Sequence, residues 1–544
     1  MTKTNKTLYI TTAIDYPNNR PHIGTAYEKI GADVIARYYR LAGYKTFFLM
    51  GTDEHSQNVE KAARELGISP DEFLEKLVPE FQDAWAKLNI SYDDFIRTTE
   101  QRHIITVQAL IQRCYDNGDI YRGEYSGFYC PSCEAFYDEE DLVDNEGKKC
   151  CPTHPIPLDH IVEENYFFAL SRYGDKLRDH IQKNPEFVQP ETRRNEVMGL
   201  ISSGLKDFSV SRVKKEWGIP CPFDEKQIVY VWFDALTNYL SGLGPTDSTR
   251  APFDENTKAY TDFWPANLHV IGKDITRFHC LYWPAMLMSA GIPIPKTVWA
   301  HGWVHAVTLD DDGQPQKLKM SKTLLSKHPE LAALFDPIVA ADRYGTDALR
   351  YFLMREIQWD RDGNFMLEKF DERYNSDLAN DLGNLLNRVI SMIGRYNNCV
   401  VPDPTEKVPD DDSLIKTAAS VVKNVVSCIE NSQLSQALVR IWELIGAGNQ
   451  YVELMAPWTL NKDPKKKARL GAVLYNLAET VRIVGVLVTP FMPETGEKIW
   501  RQLGLGDEIS KATIDSLRTW GGLKPGTVVE KPVPIFPKPE PKKD

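Results

Sequence analysis

Residues 7–14, Thr-Leu-Tyr-Ile-Thr-Thr-Ala-Ile, form an unbroken run of β-branched, aromatic and apolar positions, the pattern of a buried strand. A polar turn rich in Pro and Asn follows at residues 15–20. From about His22 the period changes. Tyr27, Ile30, Val34, Ile35, Tyr38 and Leu41 recur at helical spacing, and Gly43 is placed to stop the helix. Residues 46–50 are a second strand-like run. Strand, helix, strand in this order is a βαβ unit. It begins a parallel sheet with a ligand crevice at the carboxyl ends of its strands.

The strand pattern resumes far downstream, at residues 228–232, 268–271 and 297–304, with a helix-like stretch at 277–288. After about residue 370 long helical periods dominate, at 378–395, 414–431, 433–455 and 468–488, as in a helical bundle. The simplest reading is a Rossmann-type α/β parallel sheet split by an insertion and followed by an α-helical bundle. The divisions fall at 1–115 and 227–325 for the two halves of the sheet domain, 116–226 for the insertion, 326–372 for a linking subdomain and 373–520 for the bundle. The Pro- and Lys-rich tail, 521–544, is expected to lie extended on the surface.

At 544 residues the chain exceeds one core, and 42% hydrophobic with 26% charged residues is ordinary globular composition. No apolar run reaches the ~18–20 residues that span a bilayer. The first six residues lead straight into a strand with no signal-like apolar region, so the expectation is a cytoplasmic protein without a membrane partner. The net charge of -12 argues against nucleic acid unless a local patch overrides it. Lys462, Lys465, Lys466, Lys467 and Arg469 form such a run. Four of the nine cysteines crowd into residues 130–151, which reads as a metal site in a reducing compartment rather than a disulfide scaffold.

Three segments carry chemistry. Cys130-Pro131-Ser132-Cys133 followed by Cys151-Pro152-Thr153-His154 has tetrahedral zinc spacing, C-x₂-C with C-x₂-H. Cys150 is an alternative third ligand on spacing alone. Pro21-His22-Ile23-Gly24-Thr25 delivers a histidine and a glycine to a helix start, where free backbone N–H groups attract phosphate oxygens. Gly24 lets a flat base approach the backbone, and His22 can donate to a phosphate. Lys319-Met320-Ser321-Lys322-Thr323 puts two lysines on a turn-rich loop. Cations that meet charge growing on a leaving group are worth about 2–4 kcal/mol each. Alone, the first segment is equally a Pro-Asn turn with a surface histidine, and the second a solvated basic loop.

Together, in this order, the two segments resemble the paired ATP signatures of class I aminoacyl-tRNA synthetases. The residues around them resemble the methionyl-tRNA synthetase family from about residue 6 to 537. The resemblance implies catalytic roles for His22, Gly24, Thr25, Lys319 and Lys322, with Gly272 and Asp274 also at the ATP. It implies a methionine pocket from Ala13, Ile14 and Tyr16 after the first strand and Asp53 after the second, where Asp53 would meet the ammonium. Trp232, Ala235, Tyr239, Ile275 and His279 would complete it. Aromatic and aliphatic walls suit a polarizable thioether. The insertion is too short to hold the editing module of the leucine, isoleucine and valine relatives, which leaves discrimination to the pocket.

By the same resemblance Cys151, in the Cys-Pro-x-His register, joins Cys130, Cys133 and His154 on one structural Zn²⁺, and Mg²⁺ accompanies ATP. Asn384 and Arg388, one helical turn apart, would read anticodon bases, and Trp458 would stack on one. The implied partners are L-methionine, ATP and tRNA(Met), including the initiator, and a monomer is the default. Two sequence departures stand out. Thr25 replaces the usual second histidine, and the residues after Thr323 depart from the usual Gly-Asn continuation. The rival readings are a non-catalytic RNA-binding protein that kept the fold and a synthetase for another small apolar amino acid.

Overall fold

The computed structural model describes residues 6–130, 135–137, 139–145, 147–152, 157–213, 217–244, 250–253, 257–310, 312–318, 324–325, 328–506 and 509–537. Six strands make the main sheet: β1 (Thr7–Thr12), β2 (Lys45–Thr52), β3 (Asp94–Arg97), β4 (Val188–Gln189), β5 (Leu268–Gly272) and β6 (Val298–His301). Their spatial order is β3-β2-β1-β5-β6-β4, and every pairing is parallel. The winding reverses between β1 and β5. At such a switch point an open α/β sheet leaves a crevice beyond the strand carboxyl ends.

The apolar run read at 228–232 is a strand only in its first part, and it does not join the parallel sheet. Asp224–Val229 pairs antiparallel with Ser211–Val213 and Pro220–Cys221 in a small separate sheet. Residues Val231–Leu236 form a helix, α2 in the numbering below. β-Branched composition marks a strand without naming its partner, and these neighbours are reached by short loops. The extra place in the parallel sheet goes to β4, which has only two residues and so no readable period. The span read as an insertion therefore returns to the main sheet after its long antiparallel ribbon, Ile120–Cys130 against Asp159–Phe168.

Helix α1 (Ile23–Leu41) covers one face of the sheet, and α2 (Val231–Leu236) lies on the other side of the crevice. The bundle helices are α3 (Asn384–Asn397), α4 (Pro409–Glu430), α5 (Leu434–Met455) and α6 (Lys467–Val488), close to the expected spans. Helix α6 is apolar enough in composition to cross a membrane, but it is buried on nearly all sides within the bundle. One apolar core runs without a break from β1 and α1 into the bundle. The described part of the tail, residues 521–537, runs mostly exposed along the surface, and it is anchored there at a few points. Glu479 accepts the N–H groups of Gly521, Gly522 and Leu523, and Leu523 and Val529 are buried.

Arg350, fully buried, ties the two parts together. Its guanidinium donates to Asp33 Oδ2 of α1 at 2.6 Å and to the carbonyls of Phe491 and Pro490 at 2.8 and 3.0 Å. Burial acts to raise the Asp33 pKa, but Arg37, Arg350 and the hydrogen bonds from Ser91 outweigh it and hold the carboxyl at about 2.

Candidate active site

A cavity of about 760 Å³ opens at the switch point. The end of β1 contributes Ala13, Ile14 and Tyr16 to its wall, the turn after β2 contributes Asp53, and the start of α1 contributes His22, Gly24 and Thr25. Trp232 and Ala235 face it from α2, with Tyr239 just beyond, and Gly272, Asp274, Ile275 and His279 follow β5. One cavity thus gathers every site residue expected in the sheet domain except Lys319 and Lys322. Those two lie outside the described residues. Leu318, just before them, lines the cavity, and its N–H donates to Ala306 O at 2.8 Å.

The geometry at the start of α1 corrects one expectation. The backbone N–H groups there are not free for phosphate. His22 is the N-cap, and its Nδ1 accepts from Gly24 N at 3.1 Å and Thr25 N at 3.3 Å. The Ile23 N–H donates to Phe335 O at 2.9 Å. Thr25 completes the cap, its Oγ1 accepting from His22 N at 3.1 Å. Because Nδ1 is an acceptor, the imidazole proton sits on Nε2. An Nδ1 that accepts two backbone N–H groups makes the ring a neutral N–H donor, and the His22 pKa is lowered by desolvation and by repulsion from Lys29, against the pull of Glu28. Gly24 has a packing reason as well, since a Cβ there would stand 3.0 Å from the His22 ring.

The side of the cavity lined by Trp232 and Tyr239 is aromatic. Trp232 stacks on Phe278 with centroids 3.6 Å apart. Tyr239 and His279 are buried and joined, Tyr239 Oη to His279 Nε2 at 2.7 Å. His279 Nδ1 lies 3.1 Å from Ile275 O, which can only accept, so Nδ1 carries the proton and the tyrosine hydroxyl donates to Nε2. Burial lowers the His279 pKa to about 4, so the ring is neutral near pH 7. Helix α2 is held by Asp234, whose carboxylate meets His55 Nδ1 at 2.8 Å and His103 Nε2 at 2.6 Å.

Sequence reasoning missed a buried charge cluster against the cavity. Lys29 donates to Ala13 O at 2.8 Å, Asp15 Oδ1 at 3.0 Å and Glu28 Oε1 at 2.7 Å, and His301 Nε2 lies 3.0 Å from Glu28 Oε2. Asp15 and Glu28 line the cavity. Burial raises the Asp15 pKa to about 6 against the opposing pull of Lys29. The available signal was Glu28-Lys29 falling on the apolar face of a helix that packs on a sheet.

At the bundle, Asn384 is exposed and Arg388 half-buried on α3. Arg388 Nη2 donates to Glu453 Oε1 at 2.7 Å, which brings it to the end of α5, just before the turn carrying Trp458. Trp458 is 39% exposed. Lys462, Lys465, Lys466 and Lys467 are exposed beyond it. Arg469 does not belong to that patch. It is buried, with its guanidinium 2.7 and 2.8 Å from the two carboxylate oxygens of Asp411. Its position two residues into α6 points it into the bundle, which a count of basic residues does not register.

Of the expected zinc ligands, Cys133 and His154 lie outside the described residues. Cys130 and Cys151 are buried in one small cluster with Leu158, while the Cys150 thiol points to Lys148 O at 3.6 Å. Among the described residues no group of three or more potential ligands comes together. The two cysteines that do share a cluster fit the donor set.

Residues 8–390 match the family model described as tRNA synthetases class I (M), and residues 401–543 match the anticodon binding domain of methionyl tRNA ligase. The chain is 44% identical over 533 residues to a methionine--tRNA ligase of Caldanaerobacter subterraneus subsp. tengcongensis, covering 98% of this chain and 79% of that one. It is 43% identical over 550 residues to the ligase of Bacillus subtilis, covering 99% and 79%. Among solved structures, Mycobacterium tuberculosis methionyl-tRNA synthetase in complex with methionyl-adenylate superposes with a TM-score of 0.89 at 39% identity, covering 98% of this chain and 100% of that one. Its apo form superposes at 0.84 and 37% identity, covering 98% and 99%. Matches of this length, reaching through both the sheet domain and the bundle, fit one family as a whole: the chain belongs to the methionyl-tRNA synthetases, the methionine ligases of class I.

Proposed function

We infer that this chain ligates L-methionine to tRNA(Met), the initiator included, in two steps. A methionine carboxylate oxygen attacks the α-phosphorus of ATP, the bond to the bridging oxygen of the β-phosphate breaks, and diphosphate leaves. The 2′-hydroxyl of the terminal tRNA ribose then attacks the methionyl carbonyl carbon, and AMP leaves. The observation that carries the reading is the single cavity in which a neutral N–H donor, His22, faces an aromatic pocket built around Trp232, Tyr239 and His279.

Asp53 receives the methionine ammonium, and Ala13, Ile14, Tyr16, Ala235 and Ile275 enclose the side chain. Gly272 and Asp274 take the ATP ribose. His22 donates from Nε2, with Gly24 and Thr25 holding its ring, and Lys319 and Lys322 meet the leaving diphosphate. Catalysis is orientation and charge stabilisation, with no protein nucleophile. Mg²⁺ would accompany ATP and supply positive charge to its phosphates. Cys130, Cys133, Cys151 and His154 would hold a structural Zn²⁺. Asn384, Arg388 and Trp458 read the anticodon. The protein works in the cytoplasm as a monomer. Methionine-dependent exchange of labelled diphosphate into ATP, run with each amino acid in turn, tests the reading. Exchange with methionine alone is expected. No exchange with any amino acid would favour an RNA-binding protein that only kept the fold.

A further inference from the structure

The cavity rim beside Asp274 holds an interaction that the reaction as described does not use. Trp303 is 40% exposed, and it has one polar attachment on its indole and two on its backbone. Its Nε1–H donates to Asp274 Oδ1 at 3.1 Å. Its backbone N–H donates to Asp362 Oδ1 at 3.0 Å, and its carbonyl accepts from Gly363 N at 2.9 Å. Lys273 lies 4.3 Å from the centre of the indole and 2.7 Å from Asp362 Oδ1. The indole is therefore fixed at its edge, its face and its backbone.

The consequence falls on Asp274. It sits in a short turn after β5 and reaches the cavity with one carboxylate oxygen committed to the indole. Gly272 keeps that place open, because a Cβ there would stand 2.6 Å from Asp274 Oδ1. A carboxylate with one oxygen locked presents the other in a fixed direction. A hydrogen bond to a charged acceptor is strong only when aligned. We propose that Trp303 is a positioning residue for the nucleotide: its indole N–H orients the Asp274 carboxylate toward the ribose hydroxyls, and the Lys273–Asp362 pair holds the indole in place. The proposal rests on the ribose role assigned to Asp274 above. It adds that this specificity is set from outside the contact, by the residue just before the strand Val304–Leu309.

Trp303→Phe keeps the ring over Lys273 and removes only the donor. It is expected to raise KM for ATP by roughly five- to tenfold, the scale of one misaligned charge-assisted hydrogen bond. The kcat and the KM for methionine should hold. The distinguishing probe is 2′,3′-dideoxy-ATP as a competitor of ATP in diphosphate exchange, because it lacks the hydroxyls that Asp274 would bind. Its inhibition constant should be the same for wild type, Trp303→Phe and Asp274→Ala, and the double variant should be no worse than Asp274→Ala alone. Asp362→Asn, which loosens the indole without touching the cavity edge, should shift ATP in the same direction by less. If Trp303→Phe weakens ATP and the dideoxy analogue equally, the indole meets another part of the nucleotide and the proposal falls. If Asp274→Ala leaves KM for ATP unchanged, the ribose reading of Asp274 itself is wrong, and that result is visible separately. Two intact effects of Asp274→Ala with none from Trp303→Phe would overturn the positioning role alone.

Discussion

Replacing Trp458 with alanine should separate recognition of tRNA from activation of methionine. Trp458 lies on the short helix Pro457–Leu460, after Ala456 has taken a left-handed conformation at φ 41° and turned the chain away from α5. With 39% of its surface exposed it is not a core residue, and Leu454 nearby is 67% exposed. Truncation should therefore cost far less than the ~3–5 kcal/mol of a buried Trp→Ala change. A base stacked on the indole is worth about 1–3 kcal/mol, so kcat/KM for aminoacylation should fall roughly ten- to a hundred-fold. Diphosphate exchange needs no tRNA and takes place in the cavity of the sheet domain, so it should be unchanged. Both assays are run on one folded preparation. If exchange and aminoacylation fall together, Trp458 holds the bundle to the catalytic domain and the anticodon reading is wrong.

Other expectations follow from the same geometry. Lys322→Ala should slow adenylate formation far more than it weakens methionine binding, and an unchanged rate in pre-steady-state kinetics would refute its role. Tyr239→Phe leaves His279 Nε2 a buried acceptor without its donor, a cost of about 1–3 kcal/mol, so KM for methionine should rise roughly tenfold with KM for ATP unmoved. A rise in both constants would remove Tyr239 from the methionine pocket. Metal analysis should find one zinc per chain, kept in Cys150→Ser and lost in Cys151→Ser, and the reverse pattern would sink the ligand assignment. Asp33, held at about 2, contributes roughly 2 kcal/mol that is fully present above its ordinary value of 3.8 and lost as the pH falls through 2. Asp33→Asn should flatten the acid limb of stability measured by urea unfolding, and a limb of unchanged slope would show that Asp33 is not its source.

The sequence made legible whatever follows from period. β1, α1, β2, β5 and the four long bundle helices were readable because each buries a face several turns or pleats long. β4 was not, since two residues have no period, and its place in the sheet depends on contact with β6 alone. The stretch at 228–232 was misread because Ile, Val, Tyr and Trp suit a strand and a buried helix start equally. The residues expected at the site in the sheet domain line one cavity wherever they are described. Residues whose role is to hold another side chain were not legible. Lys29 reads as a surface residue until Asp15, fourteen positions away, and the Ala13 carbonyl are seen to surround it. Arg469 failed in the opposite sense, counted as surface charge when Asp411 had already bound it.

The fixed cavity is poorly suited, by charge, to hold a polyphosphate, and this bears on how the reaction is driven. Its wall carries the carboxylates of Asp15, Glu28, Asp53 and Asp274. Among the described residues the cations near them have carboxylate partners. Lys29 is shared between Asp15 and Glu28, and Arg20 at the rim pairs with Glu80 at 2.6 Å. The first backbone N–H groups of α1 are occupied by His22 and Phe335, and His22 itself is neutral. Such a wall favours the ammonium of an amino acid over a polyphosphate; among the described residues the side chains it offers a phosphate, besides Arg20, include the uncharged His22, Asn18 and Asn19. In the proposed reaction, positive charge for the leaving diphosphate would come from Lys319 and Lys322, which follow Leu318 in the sequence, and from the ion that accompanies ATP. Binding energy held back from the resting cavity and delivered by lysines as charge develops lowers the barrier without tightening ground-state ATP binding. A wall already rich in cations would have bound ATP more tightly and gained less in rate.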